Sequence, residues 1–268
     1  MIKTNFHTHT IYCDGKNTPE ELIKTAIEKG FTSLGFSGHS FFQEDAAYCM
    51  SCEDEKKYFS EISSLKNKYL DKIEIFCGIE QDIFSPAPKH EYDYIIGSVH
   101  NVLKNGKFLV VDGSLDEIKD ILKDYYNNDF DAFAKDYFET VSNVIEKTNA
   151  DIIGHFDLIL KNMERLPYSP TKKFFDYAKQ AVLKLIKYNK PFEINTGAMA
   201  RGYRTEPYPH KTILKMILDN GGNIIFSSDC HNKEHLDYGF LEAERIAKEV
   251  GFNNQAIITK NGIKYIQI

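Results

Sequence analysis

The chain has 268 residues, 42% apolar and 27% charged, the balance of a globular protein and not of a disordered or fibrous one. Its formal net charge is −6 and no dense Lys/Arg run offers a basic groove, so a long nucleic acid is not an expected partner. No apolar run approaches the ~20 residues of a membrane span, and five cysteines do not describe a disulfide framework; with a first strand starting close to Met1, a cytoplasmic protein is expected.

The run at residues 2–6 predicts a first strand. The helix after it has Thr18 as N-cap, Pro19 at its first position, Glu21 completing a capping box and Gly30 as its stop. A second strand is predicted over 33–36, then an aromatic, acidic loop over 41–52 that reads either as a lid or as an ordinary surface loop. Cys49-Met-Ser-Cys52 in that loop is a C-x-x-C standing alone, which fits a chance pair better than half a zinc site or a redox pair. A helix near 54–69 leads to strands over 73–79 and 92–96, and helices are predicted near 115–126 and 131–147. Strands over 151–153, 191–194 and 223–226 follow, separated by helices near 171–188 and 210–220, with a last helix near 235–250. The segment 255–268 reads as a closing hairpin with a tight turn at Asn261-Gly262. Strands alternating with helices imply a parallel sheet, and seven units without a composition break predict one α/β domain over 1–268, closed as a barrel.

Each strand ends in polar residues of one kind. The first gives His7, His9 and, a few residues on, Asp14; the second gives His39; the third Glu80, with Asp82 beyond it; the fourth His100. The fifth gives His155, the sixth Glu193, Asn195 and Thr196, and the seventh Asp229 and His231. The C-terminal rim of a (β/α) barrel is where active sites are built, and six histidines with the three carboxylates Asp14, Glu80 and Asp229 at that one address are not scattered accidents. Residues i and i+2 of a strand share a face, so His7 and His9 are expected to aim together, while Asp229 and His231 either do the same or splay where their strand ends. Imidazole and carboxylate donors suit zinc, manganese or iron, and nine exceed what one ion uses; three divalent ions would take three or four each and leave positions for water and substrate. Glu193 reads either as a support for a ligand or as a core carboxylate, and His90, His210 and His235 as surface residues.

His7-x-His9 with a nearby acid, His39, Glu80, His100, His155 and the closing Asp229-x-His231 resemble, in order and over nearly the whole chain, the PHP (polymerase and histidinol phosphatase) superfamily. Within it, GIEQD, YIIGSVH, IIGHFD, EINTG and SSDCH are similar to the monofunctional histidinol-phosphate phosphatases. The resemblance implies a distorted (β/α)7, TIM-like barrel with a trinuclear site. One ion would lie on His7, His9, Glu80 and Asp229, a second on Glu80, His100 and His155 with Glu80 bridging, and the third on Asp14, His39 and His231. Some family members carry histidine where Asp14 stands. The resemblance further implies hydrolysis of L-histidinol phosphate in histidine biosynthesis, with Glu80 and Asp229 as the catalytic carboxylates and a metal-bridging hydroxide as nucleophile. Lys161 and Arg201 stand where the family carries basic residues for substrate phosphate, with Arg165 and Arg204 near enough to replace them; Glu44, Asp45 and Tyr48 are candidates for the imidazole and amine. The expected partner is therefore a small phosphomonoester, with neither nucleic acid nor membrane, and no oligomeric state is set by the sequence. The alternatives are a PHP phosphoesterase acting on phosphotyrosine or a nucleotide, and a metal-binding module without turnover. An amidohydrolase barrel also opens with H-x-H, but would be expected to end its fourth strand in lysine, where this chain has His100.

Overall fold

The computed structural model describes residues 3–268, so the expected strand over 2–6 reaches Ile2, outside the described residues. The strands and helices alternate in chain order. Strand β1 is Thr4–Asn5, α1 Pro19–Glu28, β2 Ser33–Phe36, α2 Cys52–Lys68, β3 Glu74–Asp82 and β4 Tyr94–Ser98. A two-stranded excursion, β5 Asn101–Lys104 and β6 Lys107–Val110, precedes α3 Leu115–Tyr126, α4 Phe130–Val141 and α5 Val144–Thr148. Then come β7 Ile152–Ile153, α6 Lys172–Leu185, β8 Phe192–Asn195, α7 Gly197–Ala200, α8 Lys211–Asp219, β9 Ile224–Ser227, α9 Phe240–Val250, and the hairpin β10 Asn254–Thr259 with β11 Gly262–Gln267.

Seven strands form one parallel sheet in the order β1-β2-β3-β4-β7-β8-β9. Its two ends meet beyond the named strands. Thr8 bridges Cys230 in parallel, with His9 N–H donating to Cys230 O at 2.8 Å and Cys230 N–H to His7 O at 3.1 Å. The barrel is thus nearly closed, and the closing hydrogen bonds lie within its last and first strand ends.

The helices begin where local chemistry places them. Thr18 and Glu21 form the expected capping box of α1, with Pro19 at the start, and Ser114 and Glu117 form another on α3. The helix expected over 131–147 is two helices. The apolar face continues through Phe138, Val141, Val144 and Ile145, but Ser142-Asn143 breaks the backbone between them, both side chains hydrogen-bonding back to Glu139 O. The excursion after β4 was not expected. Its turn is Asn105-Gly106, both at positive φ (52° and 77°), which is the geometry of a tight hairpin turn.

The barrel interior is filled from its N-terminal end. Phe6, Phe76, Tyr94, Ile96, Ile152 and Ile225 pack on Ala256 and Ile258 of β10, so the closing hairpin forms the floor. Tyr94 crosses the interior to place its hydroxyl 2.5 Å from Phe6 O and 2.9 Å from Phe36 O. A Cβ at position 78 would lie 2.4 Å from Tyr94 Cζ, which is why β3 carries glycine there. With the floor packed, the opposite, C-terminal rim is where a cavity forms.

Candidate metal centre

Each strand end delivers its donor to that rim. His7 and His9 flank Thr8 in the closing bridge and face inward together, as i and i+2 of a strand do, with ring centroids 5.1 Å apart. Asp14 returns to them through the turn after Thr10, whose carbonyl accepts from Cys13 and Gly15 N–H. The β2–β3 pairing continues as a bridge between His39 and Glu80, which brings these two side chains to one level. Asp229 and His231 flank Cys230, but Asp229 adopts φ 47° where the strand ends, and the two join different neighbours, Asp229 with His7 and His9 and His231 with His9, Asp14 and His39.

The nine expected donors converge on one another. Groups of donor atoms within 4.8 Å are His7, His9 and Asp229; His7, Glu80 and His155; His39, Glu80 and His100; and His9, Asp14, His39 and His231. The groups overlap, so the donors form one continuous cluster. No cysteine belongs to it among the described residues, and all five, Cys49 and Cys52 included, are free thiols. Glu80 is central. Its Oε1 faces His155 Nε2 at 2.8 Å and His100 Nε2 at 3.3 Å, and its Oε2 faces His39 Nδ1 at 2.9 Å, His7 Nε2 at 3.2 Å and His9 Nε2 at 3.5 Å.

Whether this set fits metal ions can be read from its unpaired atoms. His7 Nε2, His9 Nε2, Asp14 Oδ1 and Glu80 Oε2 are all buried, and although they crowd against other donors of the cluster, none is aligned in a hydrogen bond. Buried polar atoms are rarely left so, and these four belong to one cluster of imidazole and carboxylate groups, whereas others, such as those on Gln81, His90 and Tyr208, lie outside it. The set fits divalent cations.

Supporting groups fix the rings. Glu193, one of the readings left open above, proves to be a support: it accepts from His7 Nδ1 at 2.6 Å, His155 N–H at 2.8 Å and Asn195 Nδ2 at 2.9 Å, and from Ser227 Oγ. With Nδ1 donating, His7 offers the Nε2 lone pair to the cluster. Asp82 does the same for His100, accepting from its backbone N–H at 3.0 Å and facing Nδ1 at 3.1 Å. Sequence reasoning gave Asp82 no role, although its spacing, i+2 from Glu80 on one strand face, was the available signal.

The electrostatics follow from crowding ionisable groups out of water. Burial alone would push the Glu80 carboxyl up, but His39, His7 and His100 hold it well below the usual range. Asp229, which burial would likewise raise, is held down by Arg201, His7 and His231. Burial, reinforced by His231 and His39, lowers His9 to about 3, whereas burial at His7 is outweighed by Glu193, Glu80 and Asp229, which raise it.

The cluster opens into a cavity of about 1170 Å³, with Lys161, Arg165 and Arg201 on its wall beside Glu44, Asp45, Tyr48 and Cys49 of the 41–52 loop. Arg201 Nη2 donates to Asp229 Oδ2 at 3.1 Å and Nη1 lies 2.8 Å from His231 Nδ1. Lys161 Nζ donates to the backbone and side chain of Asp112. Arg204 is turned away: it is buried, donating to Leu160 O and Glu206 O, because its guanidinium packs on Tyr208. Nor is His210 a free surface residue, since its side chain caps α8 and its N–H donates to Asp157; His90 stacks on Phe59. Among the described residues, no helix is long and apolar enough to cross a membrane.

A "Probable histidinol-phosphatase" of Schizosaccharomyces pombe is 26% identical over 282 aligned residues, covering 97% of this chain and 90% of its own length. One from Deinococcus radiodurans is 24% identical, covering 91% and 92%. The crystal structure of histidinol phosphate phosphatase from Lactococcus lactis, complexed with zinc, L-histidinol and phosphate, shares the fold with a TM-score of 0.73 at 21% identity over 98% of each chain. The PHP domain model matches residues 5–197, which carry every one of the nine donors except Asp229 and His231, and the chain therefore belongs to the PHP domain family.

Proposed function

We propose that this chain is a metal-dependent phosphomonoester hydrolase that converts L-histidinol phosphate to L-histidinol and phosphate, as a single barrel unit over residues 1–268. The observation that carries the reading is the set of unpaired buried atoms on His7, His9, Asp14 and Glu80, at the base of a cavity with cations on its wall. The names of the relatives, which align over nearly all of this chain, support the choice of substrate. The reading includes three divalent ions, zinc, manganese or iron, a cytoplasmic location, and a small phosphomonoester as partner without nucleic acid or membrane.

His7, His9, Asp14, His39, Glu80, His100, His155, Asp229 and His231 would hold the ions. Phosphate monoesters are among the slowest esters to hydrolyse unaided, with enzymatic accelerations up to roughly 10²¹-fold. Bound ions would supply charge neutralisation at the phosphoryl oxygens and a water acidified into the nucleophilic range. The chain's own residues do the positioning. Glu80 has an oxygen toward each half of the cluster, which suits a bridging carboxylate. Asp229, ionised and anchored by Arg201, is arranged to coordinate and not to donate a proton. Lys161 and Arg201 are arranged to hold the phosphate, since each keeps N–H donors beyond those its protein partners take.

The test is phosphate release from L-histidinol phosphate, phosphotyrosine, AMP and p-nitrophenyl phosphate by protein reconstituted with zinc, manganese or iron, with His9→Ala as control. A dominant kcat/KM for L-histidinol phosphate, falling at least ~10³-fold in His9→Ala, is expected for loss of a residue acting within a unit. Equal or greater kcat/KM for another ester would refute the substrate, and no turnover with any metal would refute the enzyme.

A further inference from the structure

One aromatic ring on the cavity wall organises two of its cations. Lys161 Nζ lies 4.8 Å from the centroid of Tyr203 and Arg165 Cζ lies 5.1 Å from the same centroid, and all three residues line the cavity that holds the donor cluster. The quadrupole of a tyrosine attracts both cations.

The remaining contacts of these residues are made by the same cationic ends, and each end keeps donors beyond them. Arg165 donates from Nη2 to Gly202 O, the residue beside Tyr203, which ties its turn to the tyrosine segment. Asp112 takes two of the three Lys161 donors and leaves one. Arg204, the neighbour of Tyr203, donates to Leu160 O at 3.1 Å, next to Lys161. Asp112 and Gly202 thus each hold one cationic end, and the ring is the contact that the two ends share.

We infer that Tyr203 is a positioning residue for substrate phosphate, holding Lys161 and Arg165 as one two-cation arm on the cavity wall. The inference rests on the phosphomonoester reading above, and goes beyond it in assigning roles to Tyr203 and Arg165. A phosphate dianion entering the cavity meets the arm on one wall and Arg201 near Asp229 on another.

The test uses the full chain reconstituted with zinc, in four forms besides wild type: Tyr203→Leu, Tyr203→Phe, Lys161→Met and the Tyr203→Leu/Lys161→Met pair. Steady-state kinetics with L-histidinol phosphate are read beside the Kd of inorganic phosphate by calorimetry, zinc content and melting temperature. Tyr203→Leu is expected to raise KM and the phosphate Kd about 5–10-fold while kcat changes less than about threefold. Tyr203→Phe, which keeps the ring, should return both to within about twofold of wild type. In the Lys161→Met background the leucine substitution should have less than half its effect in logarithmic terms, because its main target is gone. An unchanged phosphate Kd in Tyr203→Leu, equal damage in Tyr203→Phe, or full additivity in the pair would each overturn the inference. If Tyr203→Leu loses zinc or melts early, Tyr203→Gln takes its place in the same comparison. The phosphate Kd needs no turnover, so a chain inactive on L-histidinol phosphate that still shows this pattern would sink the substrate and leave the arm standing.

Discussion

Replacing Glu193 by glutamine changes one oxygen to an NH2 group, with almost no change in shape, at a site where every neighbour is a donor. His7 Nδ1–H, His155 N–H, Asn195 Nδ2–H and Ser227 Oγ–H all point at the carboxylate. Glutamine offers one acceptor in place of two. If its oxygen keeps His155 and Asn195, its NH2 faces His7 Nδ1 and Ser227. The serine hydroxyl can rotate. The imidazole satisfies the new donor by moving its proton to Nε2, the atom that faces Glu80 Oε2 at 3.2 Å and should carry the lone pair toward a metal. Loss of such a supporting partner typically lowers metal affinity 10–100-fold, about 1.4–2.7 kcal/mol. The Ser227 hydroxyl, turned to accept from the NH2, loses its own acceptor, and leaving that buried donor unsatisfied costs a further ~1–3 kcal/mol of stability. Competition with a zinc chelator measures the first quantity and urea unfolding of metal-free protein the second. Wild-type zinc affinity in Glu193→Gln would show that the His7 tautomer does not depend on Glu193, and the account of the supporting groups would fail.

Gly78→Ala sets a Cβ 2.4 Å from Tyr94 Cζ in the packed interior, and overpacking there should cost ~1–3 kcal/mol or more; an unchanged urea midpoint would contradict the tightness of that contact. Asp237 is hydrogen-bonded by Lys29 and Lys3, which outweigh its burial and lower its pKa. A lowered folded pKa stabilises above the unfolded value, near ~3.9, and that contribution disappears as pH falls through the folded one. Asp237→Asn should therefore lose about 0.5–1 kcal/mol at pH 7 and nothing at the lowest pH at which both proteins fold, so a gap that widens in acid would reverse the assignment. Removal of metal by a chelator should lower the melting temperature, since a ligand at a thousand times its Kd adds ~4 kcal/mol to stability; coincident melts with and without chelator would count against a cluster filled in solution.

The strands and their donors were legible because a barrel strand writes its end into the sequence, an apolar run and then a polar residue at the rim. Direction within the site was less legible. Glu193 follows an apolar run just as Glu80 does, and spacing cannot say that one faces a cluster of donors while the other faces the N–H side of two imidazole residues. The break in the 131–147 helix was hidden by an apolar periodicity that continues across it, although Ser142-Asn143 are residue types that compete for backbone hydrogen bonds. The excursion β5–β6 carried a strong turn signal, Asn-Gly between two short apolar segments, but lay in the shadow of the His100 strand end. Arg204 and Arg165 were indistinguishable as charges near Lys161 until packing on Tyr208 buried one and Tyr203 held the other at the cavity.

The bridge between Thr8 and Cys230 also sets the order in which the molecule is made. Asn5 hydrogen-bonds Ser228 across 223 positions of sequence, and the donors beside them cannot meet until the last strand has left the ribosome. Closing a loop of that length costs ~5 kcal/mol of chain entropy before any contact is gained. Through most of synthesis the first strand end therefore lacks the strand that closes the barrel against it. Completion of the barrel and completion of the cluster are one event, so a chain interrupted before Asp229 has neither a closed wall nor a finished site.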